Sequence, residues 1–140
     1  MFLYKRVVHM RDTDATGVIY FTSQLEMGLE AFEAYLRSKK VQLQDIITKK
    51  NFLFPIVHTK ADFFAPITLG QELEIRWQVR EIGKKSFTHE SLFFFEEKRV
   101  GSTTIIHATI EKDTHQTIPV PDSFIELLKD SLGAIGLRRS

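Results

Sequence analysis

The 140-residue sequence predicts an α+β fold, in which an antiparallel sheet wraps around one long central helix. Residues 24–37 carry apolar side chains at helical spacing, and residues 73–80 alternate strictly between polar and apolar, as in a strand with one buried face. Two more long strand patterns follow after short turns, which indicates an antiparallel meander. The length suits a single domain, residues 1–140, with its own hydrophobic core.

The first half of the chain supplies the main helices. A short apolar strand over residues 2–10 precedes the long helix, and residues 43–49 predict a second, short helix. The apolar stripe of the long helix is predicted to consist of Leu25, Leu29, Phe32 and Leu36. A different, solvated face is predicted to carry Glu26, Glu30 and Glu33. Gly28 costs about 1 kcal/mol relative to alanine within a helix, so another backbone is expected to approach closely there.

The second half supplies the sheet and a terminal helix. Pro55 predicts an irregular start to an apolar, aromatic strand over residues 52–64. The later strands are predicted at 73–80, 86–95 and 100–111, with turns at 83–85 and 96–99. The spacing of Ser123 and Glu126 is that of a capping box, which predicts a helix that ends near Gly133. The tail over residues 134–140 is expected to be loose.

The composition excludes several classes of function. A formal net charge of +1, with dispersed cations, gives no basic field for nucleic acid. With no cysteine, the chain has no disulfide framework, thiolate zinc site or cysteine nucleophile. No signal peptide or membrane-spanning run is visible, so we expect a cytoplasmic protein without membrane insertion. The 12 phenylalanines indicate an aromatic core or a surface covered by self-association.

Residues 11–20 carry the strongest functional signal in the chain. They place Asp12, Asp14 and Gly17 between the predicted strand and the long helix. The first N–H groups of a helix lack intrahelical acceptors and the helix dipole is positive at that end, so a substrate oxygen that develops negative charge would be stabilised there. A carboxylate one turn away would then attack the substrate or deprotonate a water.

Two other interpretations of this segment stay open from the residues alone. Asp-x-Asp-x-x-Gly also opens a calcium-binding EF-hand loop, but here the twelfth position is Ser23, where a bidentate glutamate is required, and the fifth is Thr16. The segment is also compatible with a polar turn, in which Gly17 supplies an unusual backbone angle and the aspartates accept local N–H bonds.

The histidines and Ser23 are interpreted as structural. None of the histidines has paired metal-ligand spacing or an acidic or nucleophilic partner nearby, so we predict that each is structural or exposed and that there is no metal site. These residues are His9, His58, His89, His107 and His115. Ser23 has no histidine nearby in the sequence and is interpreted as a helix cap rather than a nucleophile.

The aspartate segment and the helix after it resemble the hotdog-fold acyl-CoA thioesterases of the 4-hydroxybenzoyl-CoA thioesterase type. The specific part of this resemblance is Asp12-Thr13-Asp14-Ala15-Thr16-Gly17-Val18-Ile19-Tyr20-Phe21. Supporting segments are Phe54-Pro55-Ile56-Val57, similar to the family's second strand, and Gly83-Lys84-Lys85-Ser86-Phe87, similar to its basic strand entry. The order of predicted elements agrees along nearly the whole chain.

The resemblance implies hydrolysis of a CoA thioester, with no cofactor beyond the CoA of the substrate. Asp14 would act as nucleophile or general base, and the backbone amide of Phe21 would polarise the carbonyl. Tyr20 is a candidate to orient the substrate through its hydroxyl, or alternatively to pack in the core. The implied substrate- and CoA-binding residues are Gly17, Val18, Lys84, Lys85 and Ser86. For the lysine pair, a solvated hairpin is the other interpretation. The resemblance also implies a homodimer or homotetramer with pockets shared between subunits.

The residues around Tyr20 indicate which subgroup of this family the chain resembles. A large bacterial subgroup that acts on aliphatic acyl-CoA has a histidine after this tyrosine, where this chain has Phe21. The Tyr20-Phe21 pair, with Glu30-Ala31-Phe32-Glu33 downstream, is more similar to the 1,4-dihydroxy-2-naphthoyl-CoA thioesterases of quinone synthesis, and a phenylalanine offers a flat face to an aromatic acyl group. Two alternatives remain: a binding module of the same fold that holds an acyl-CoA or a protein partner without hydrolysis, and a hydratase or dehydratase, which usually has a histidine in the active turn.

Overall fold

The computed structural model describes residues 1–137, with side chains described as far as Gly133. The helices are α1 (Ser23–Ser38), α2 (Leu43–Lys49) and α3 (Asp122–Lys129), and a short 3-10 turn spans Met10–Asp12. The strands are β1 (Phe2–Val7), β2 (Phe52–Leu53), β3 (Ile56–Phe63), β4 (Glu72–Ile82), β5 (Ser86–Phe95), β6 (Lys98–Ala108), β7 (Ile110–Glu111) and β8 (Leu132–Leu137).

Six of the strands form one sheet that packs against α1. Its order is β1-β4-β5-β6-β3 with antiparallel neighbours, and β8 pairs in parallel with β4. Val7 lies opposite Glu72, and Phe63 lies opposite Gly101 near the start of β6. The end of β1, the start of β4 and the end of β3 therefore share one end of the sheet, where the aspartate segment also lies. This arrangement confirms the predicted α+β fold.

The core is formed where α1 crosses the sheet. The ring of Phe32 stacks on Trp77 of β4 and on His89 of β5, with centroid distances of 5.6 and 4.7 Å. The predicted close approach at Gly28 is present, because a Cβ there would lie 2.8 Å from Thr103 Oγ1. The neighbour is a side chain of β6 rather than a backbone. Any larger residue at position 28 would require the Thr103 side chain or the helix itself to shift.

The buried face of α1 differs from the predicted stripe. Phe32 and Leu36 are buried as predicted, but Leu25 and Leu29 are only partly buried. The remaining buried positions of the helix are Ser23, Gln24, Met27, Gly28, Ala31 and Tyr35. Small residues let the helix approach the sheet closely along this face, and the Gln24 amide Nε2 donates at 2.9 Å to the carbonyls of both Asp62 and Ser102. A hydrogen-bonded glutamine therefore occupies a position that a purely apolar pattern excludes.

Several predicted element boundaries are wrong for identifiable reasons. The strand over 52–64 is interrupted between β2 and β3, because Pro55 has no N–H to donate to a ladder. The strand over 100–111 is interrupted between β6 and β7 at Thr109, where β7 leaves the main sheet to pair with β2. By contrast, α2 and β5 have the predicted bounds.

The predicted helix caps and the predicted tail also need correction. Thr22, not Ser23, is the N-cap of α1, and no side chain caps that end. The terminal helix begins at Asp122 behind Pro121 without a capping box and ends at Lys129, before Gly133. Residues 132–137 form β8, which includes the first four residues of the predicted loose tail, because their backbone pairs with β4. The rest of that tail, residues 138–140, lies outside the described residues. No helix within residues 1–137 is both long and apolar enough to cross a bilayer.

Candidate active site

The segment between β1 and α1 folds back on itself as a tight loop. Thr13 pairs with Ile19, the Asp14 N–H donates to the Val18 carbonyl at 2.9 Å, and the Gly17 N–H donates to the Asp14 carbonyl at 3.1 Å. Gly17 has φ +81°, a left-handed conformation that glycine adopts without strain. This turn places Asp14 across from Val18, at the open tip of the loop.

A second set of backbone hydrogen bonds fastens the loop to the segment before β4. The Ile19 N–H donates to the Ile67 carbonyl at 2.7 Å, and the Leu69 N–H donates to the Gly17 carbonyl at 3.1 Å. Val18 and Thr68 form a further bridge. The predicted substrate-binding residues Gly17 and Val18 are thus held between Asp14 and this neighbouring segment.

Asp12 is buried and paired with an arginine. The Arg6 guanidinium donates to both of its carboxylate oxygens, at 2.7 and 3.0 Å, and the His9 N–H donates to the same carboxylate at 2.7 Å. Burial raises the pKa of Asp12, but the hydrogen bonds from Arg6 and His9 outweigh it, so the pKa is lowered overall. Arg6 also donates to Glu30 of α1 at 2.8 Å, so Glu30 is part of an ion-pair network and not only of the predicted solvated face.

Asp14, in contrast, is exposed. Its Oδ1 accepts hydrogen bonds from the Thr16 hydroxyl at 2.5 Å and from the Thr16 N–H at 2.8 Å. The hydroxyl bond is the largest cause of a lowered pKa, and the backbone N–H groups of Thr16, Val18 and Asp14 itself act in the same direction. The carboxylate is therefore ionised at neutral pH and open to a ligand.

The backbone amide of Phe21 lies immediately before α1. The neighbouring Tyr20 N–H donates to the Asp12 carbonyl at 2.8 Å, and the Ser23 N–H donates to the Tyr20 carbonyl at 2.9 Å. Within residues 1–137 the Phe21 N–H has no acceptor. It is thus free to donate to a substrate oxygen near the positive end of the helix. The Tyr20 and Phe21 side chains are exposed, and their ring centroids are 4.8 Å apart.

An apolar cavity of about 420 Å³ opens beside this loop. Its lining residues are Val18, Ile19, Phe21, Phe63, Phe64, Ala65, Pro66 and Ile67. The volume falls within the range of small-molecule pockets, and the phenylalanines offer flat apolar faces to a planar ligand. Val18 and Phe21 belong both to the cavity and to the loop that carries Asp14, so a molecule in the cavity lies next to the carboxylate's loop.

The predicted CoA-binding lysines lie elsewhere in the chain. Lys84, Lys85 and Ser86 belong to the turn after β4 and the start of β5, whereas the aspartate loop lies beside the start of β4. The 11 residues of β4 separate the two regions, which is about 35 Å at the usual rise per residue. One chain therefore brings Asp14, Gly17, Val18, Tyr20 and Phe21 together but leaves the lysine turn at the opposite end of the sheet.

Three parts of this region are not predicted from the sequence. The cavity wall from Phe63 to Ile67 begins in the predicted strand over residues 52–64 and was not predicted to line a site, although the adjacent Phe63 and Phe64 were a usable signal. The bond from the Thr16 N–H to Asp14 follows a known local pattern, in which an aspartate side chain accepts from the backbone N–H two residues on. The pairing of Arg6 with Asp12 had no signal that distinguishes it from other charged residues.

Two of the five histidines form a buried chain of hydrogen bonds. The Trp77 indole N–H donates to His89 Nδ1 at 2.9 Å, His89 Nε2 lies 3.0 Å from His107 Nε2, and His107 Nδ1 lies 2.8 Å from the Phe54 carbonyl. Because the indole can only donate and the carbonyl can only accept, both imidazoles are neutral and each bond has one direction. Burial lowers the pKa of both histidines. This confirms the structural interpretation of His89 and His107, while His9, His58 and His115 are exposed.

Comparison with known proteins agrees with this geometry. The Thioesterase-like superfamily profile matches residues 8–128. A 1,4-dihydroxy-2-naphthoyl-CoA hydrolase from Nostoc punctiforme is 32% identical over 128 residues, covering 91% of this chain and 86% of the relative. One of the same name from Synechococcus elongatus is 30% identical over 127 residues, covering 90% and 93%.

Solved structures show the same likeness. A crystal structure of a 1,4-dihydroxy-2-naphthoyl-CoA thioesterase from Synechocystis superposes with a TM-score of 0.85 at 30% identity, covering 92% of this chain and 96% of that one. The structure of a gentisyl-coenzyme A thioesterase has a TM-score of 0.79 at 25% identity, covering 90% and 98%. The family profile matches most of the sequence, and the solved structures superpose on most of the fold. The chain therefore belongs to the thioesterase-like superfamily and has the hotdog fold.

Proposed function

We propose that the protein is an acyl-CoA thioesterase that hydrolyses an aromatic CoA thioester, of the 1,4-dihydroxy-2-naphthoyl class, to the free acid and CoA. Family membership and the names of the relatives support the hydrolase activity. The observation that carries the site assignment is the exposed, ionised Asp14 on a loop that shares Val18 and Phe21 with an apolar cavity. The aromatic wall of the cavity supports the choice of acyl group.

In this proposal the acyl group enters the cavity and the thioester carbonyl accepts a hydrogen bond from the Phe21 N–H. That bond becomes stronger as the carbonyl oxygen gains negative charge, which lowers the barrier. A thiolate is a good leaving group, so one carboxylate and one oxyanion donor are sufficient without a catalytic triad. Tyr20, exposed beside Phe21, orients the substrate through its hydroxyl.

Asp14 acts by one of two routes. As a nucleophile, its oxygen bonds to the carbonyl carbon, the carbon–sulfur bond breaks with its electron pair on the CoA thiolate, and water then hydrolyses the acyl-aspartyl anhydride. As a general base, it takes a proton from water while the water oxygen bonds to the carbon. The carbon–sulfur bond then breaks and the proton passes to the thiolate. Either route requires Asp14 in its ionised form, which the Thr16 hydrogen bonds favour.

The free edge of β3 supports a role for a second subunit. β3 pairs only with β6 among the described strands, and its exposed apolar residues include Ile56, Val57 and Phe63. Such an edge is a template for pairing with another strand. If two copies pair their β3 strands antiparallel about a two-fold axis, the end at Phe63 in one meets the end at Ile56 in the other.

This pairing would complete the CoA site. Ile56 is opposite His107, and Ser86 is opposite Ala108, so the start of β3 and the lysine turn share one end of the sheet. The partner's lysine turn would therefore lie at the same end as Asp14, where its cations can bind CoA phosphates. We accordingly propose a homodimer, alone or within a homotetramer, and a cytoplasmic site of action, where CoA esters are found.

The test is release of free thiol from short aliphatic, long aliphatic, benzoyl and naphthoyl CoA esters, with wild type and Asp14→Asn compared. We expect the highest kcat/KM for a bicyclic aromatic ester and almost no turnover by the variant. A preference for aliphatic esters would overturn the substrate class. Binding of CoA esters without thiol release would instead indicate a non-hydrolytic binding module.

A further inference from the structure

Thr16 makes two contacts with the same oxygen of Asp14. Its hydroxyl and its N–H both donate to one oxygen of Asp14, Oδ1, at 2.5 and 2.8 Å. Neither bond reaches Oδ2. A carboxylate that is exposed to solvent would otherwise rotate freely about its terminal bond, which has a broad torsional profile.

We propose that Thr16 is a positioning residue, which fixes the Asp14 carboxylate with Oδ1 as the anchored oxygen and Oδ2 as the reacting oxygen. This rests on the proposed function of Asp14. Asp14 lies across the loop from Val18, which lines the cavity, so restricting its rotation decides which oxygen a bound thioester meets. The contact also holds the carboxylate in its ionised form, since a hydrogen bond to the charged state favours that state.

The local backbone makes this role possible. The Gly17 N–H donates to the Asp14 carbonyl, so Thr16 lies inside the turn and its hydroxyl points back to the aspartate two residues earlier. The ionisable side chains closest to Asp14 in the chain are Arg11 and Asp12, and the charge of Asp12 is already paired with Arg6. The hydrogen bonds of the loop, not a neighbouring charge, lower the pKa of Asp14.

The experiment compares Thr16→Val with Thr16→Ser. Valine keeps the shape and the backbone N–H but removes the hydroxyl, whereas serine restores it. We expect Thr16→Val to lower kcat by about tenfold, as for loss of a hydrogen bond to a charged group. KM should change little, and the acid limb of the kcat/KM profile should move to higher pH. Thr16→Ser should stay close to the wild type in kcat, in KM and in the acid limb of the pH profile.

A matched control uses another exposed threonine bound to a carboxylate. The Thr114 hydroxyl donates to Glu111 at 2.8 Å in the turn after β7, outside the aspartate loop and the cavity, so Thr114→Val should leave kcat and the pH profile unchanged. A wild-type kcat in Thr16→Val, or a lowered kcat with an unmoved acid limb, would overturn the positioning role.

A second measurement separates this inference from the proposed function. Carboxyl carbon NMR of Asp14 reports its titration directly, with no substrate present. If the Asp14 pKa rises in Thr16→Val and returns in Thr16→Ser, the contact holds in solution, whatever ester the enzyme prefers. If the wild type releases no thiol from any ester, the proposed function fails and the kinetic role of Thr16 fails with it. If the Asp14 pKa is the same in Thr16→Val as in the wild type, the contact itself is overturned.

Discussion

Asp12 and Asp14 are two residues apart in the same loop and have opposite surroundings. Asp12 is buried and accepts hydrogen bonds from Arg6 and from the His9 N–H, so it joins β1 to the loop. Asp14 is exposed, and among residues 1–137 its carboxylate accepts hydrogen bonds only from its own loop. The Asp12 carboxylate holds the loop in place and the Asp14 carboxylate faces solvent. The sequence pattern alone does not reveal this difference. Residues that stabilise the loop and the residue proposed to react can therefore lie two positions apart in the sequence.

The largest expected effect is on the chemistry. Asp14→Asn removes the nucleophile or base but keeps the side-chain shape, so kcat should fall about 10²- to 10⁴-fold, the usual contribution of such a group. The denaturation midpoint should stay at the wild-type value, because Asp14 is exposed. Thiol release and urea unfolding measure the two quantities. A variant that keeps its activity, or loses its stability, would break the contrast with Asp12.

The next effect is on stability. Asp12→Asn leaves Arg6 buried without its main partner, which typically costs about 3 to 5 kcal/mol, and the low end is expected because Glu30 still binds Arg6. Urea unfolding checks this value. If Asp12→Asn unfolds at the same urea concentration as Asp14→Asn, the assignment of Asp12 as the structural carboxylate is wrong.

The buried pair His89 and His107, like Asp12, is expected to affect stability and not catalysis, but as neutral groups. Their pKa values are lowered in the folded protein, so below the unfolded value of about 6.5 the unfolded chain binds more protons. The contribution of the neutral histidines to the free energy of unfolding should therefore be fully present above pH 6.5. The free energy of unfolding should fall below that pH, by about 1.4 kcal/mol per pH unit for each histidine.

Urea unfolding at pH 7.5, 6.0 and 5.0 would measure this slope. The variant His107→Gln should reduce it, and His58→Gln, at an exposed position, should not. A wild-type slope that matches that of His107→Gln would show that the buried pair does not control acid stability.

The smallest expected effect concerns the lysine turn. Substituting both Lys84 and Lys85 by alanine should raise KM for a CoA ester about three- to tenfold with kcat unchanged, and added salt should reduce the difference. The pair Lys49 and Lys50 at the end of α2 is the control, since its replacement should leave KM unchanged. An equal effect of both pairs would indicate general attraction rather than a phosphate site.

The features that were predicted well from the sequence depend on residues that are close together in the chain. The aspartate loop, its glycine at positive φ and the bounds of α2 and β5 all follow from local spacing. The buried face of α1 was only partly predictable, because Gln24 is buried through hydrogen bonds to two strands that lie far away in the sequence. Apolar periodicity alone assigns such a residue to solvent.

The candidate site shows the same limit. Asp14 and the Phe21 amide are close in the chain, so a motif identifies them. The cavity depends on contact between residues 18–21 and residues 63–67, and the histidine chain on contact among Trp77, His89 and His107. These contacts appear only when the sheet register is known.

The unpaired border of β3 has a consequence for handling the protein. Among the described strands the eight-residue β3 pairs only with β6, so its outer backbone groups are unpaired beside exposed apolar side chains, and an extended segment of another polypeptide can pair with them. For a dimer that pairs through this edge, dilution below its dissociation constant would separate the protomers and so lower activity without any heating. In such a dimer, aggregates formed during synthesis would originate from chains that folded before they met a second copy.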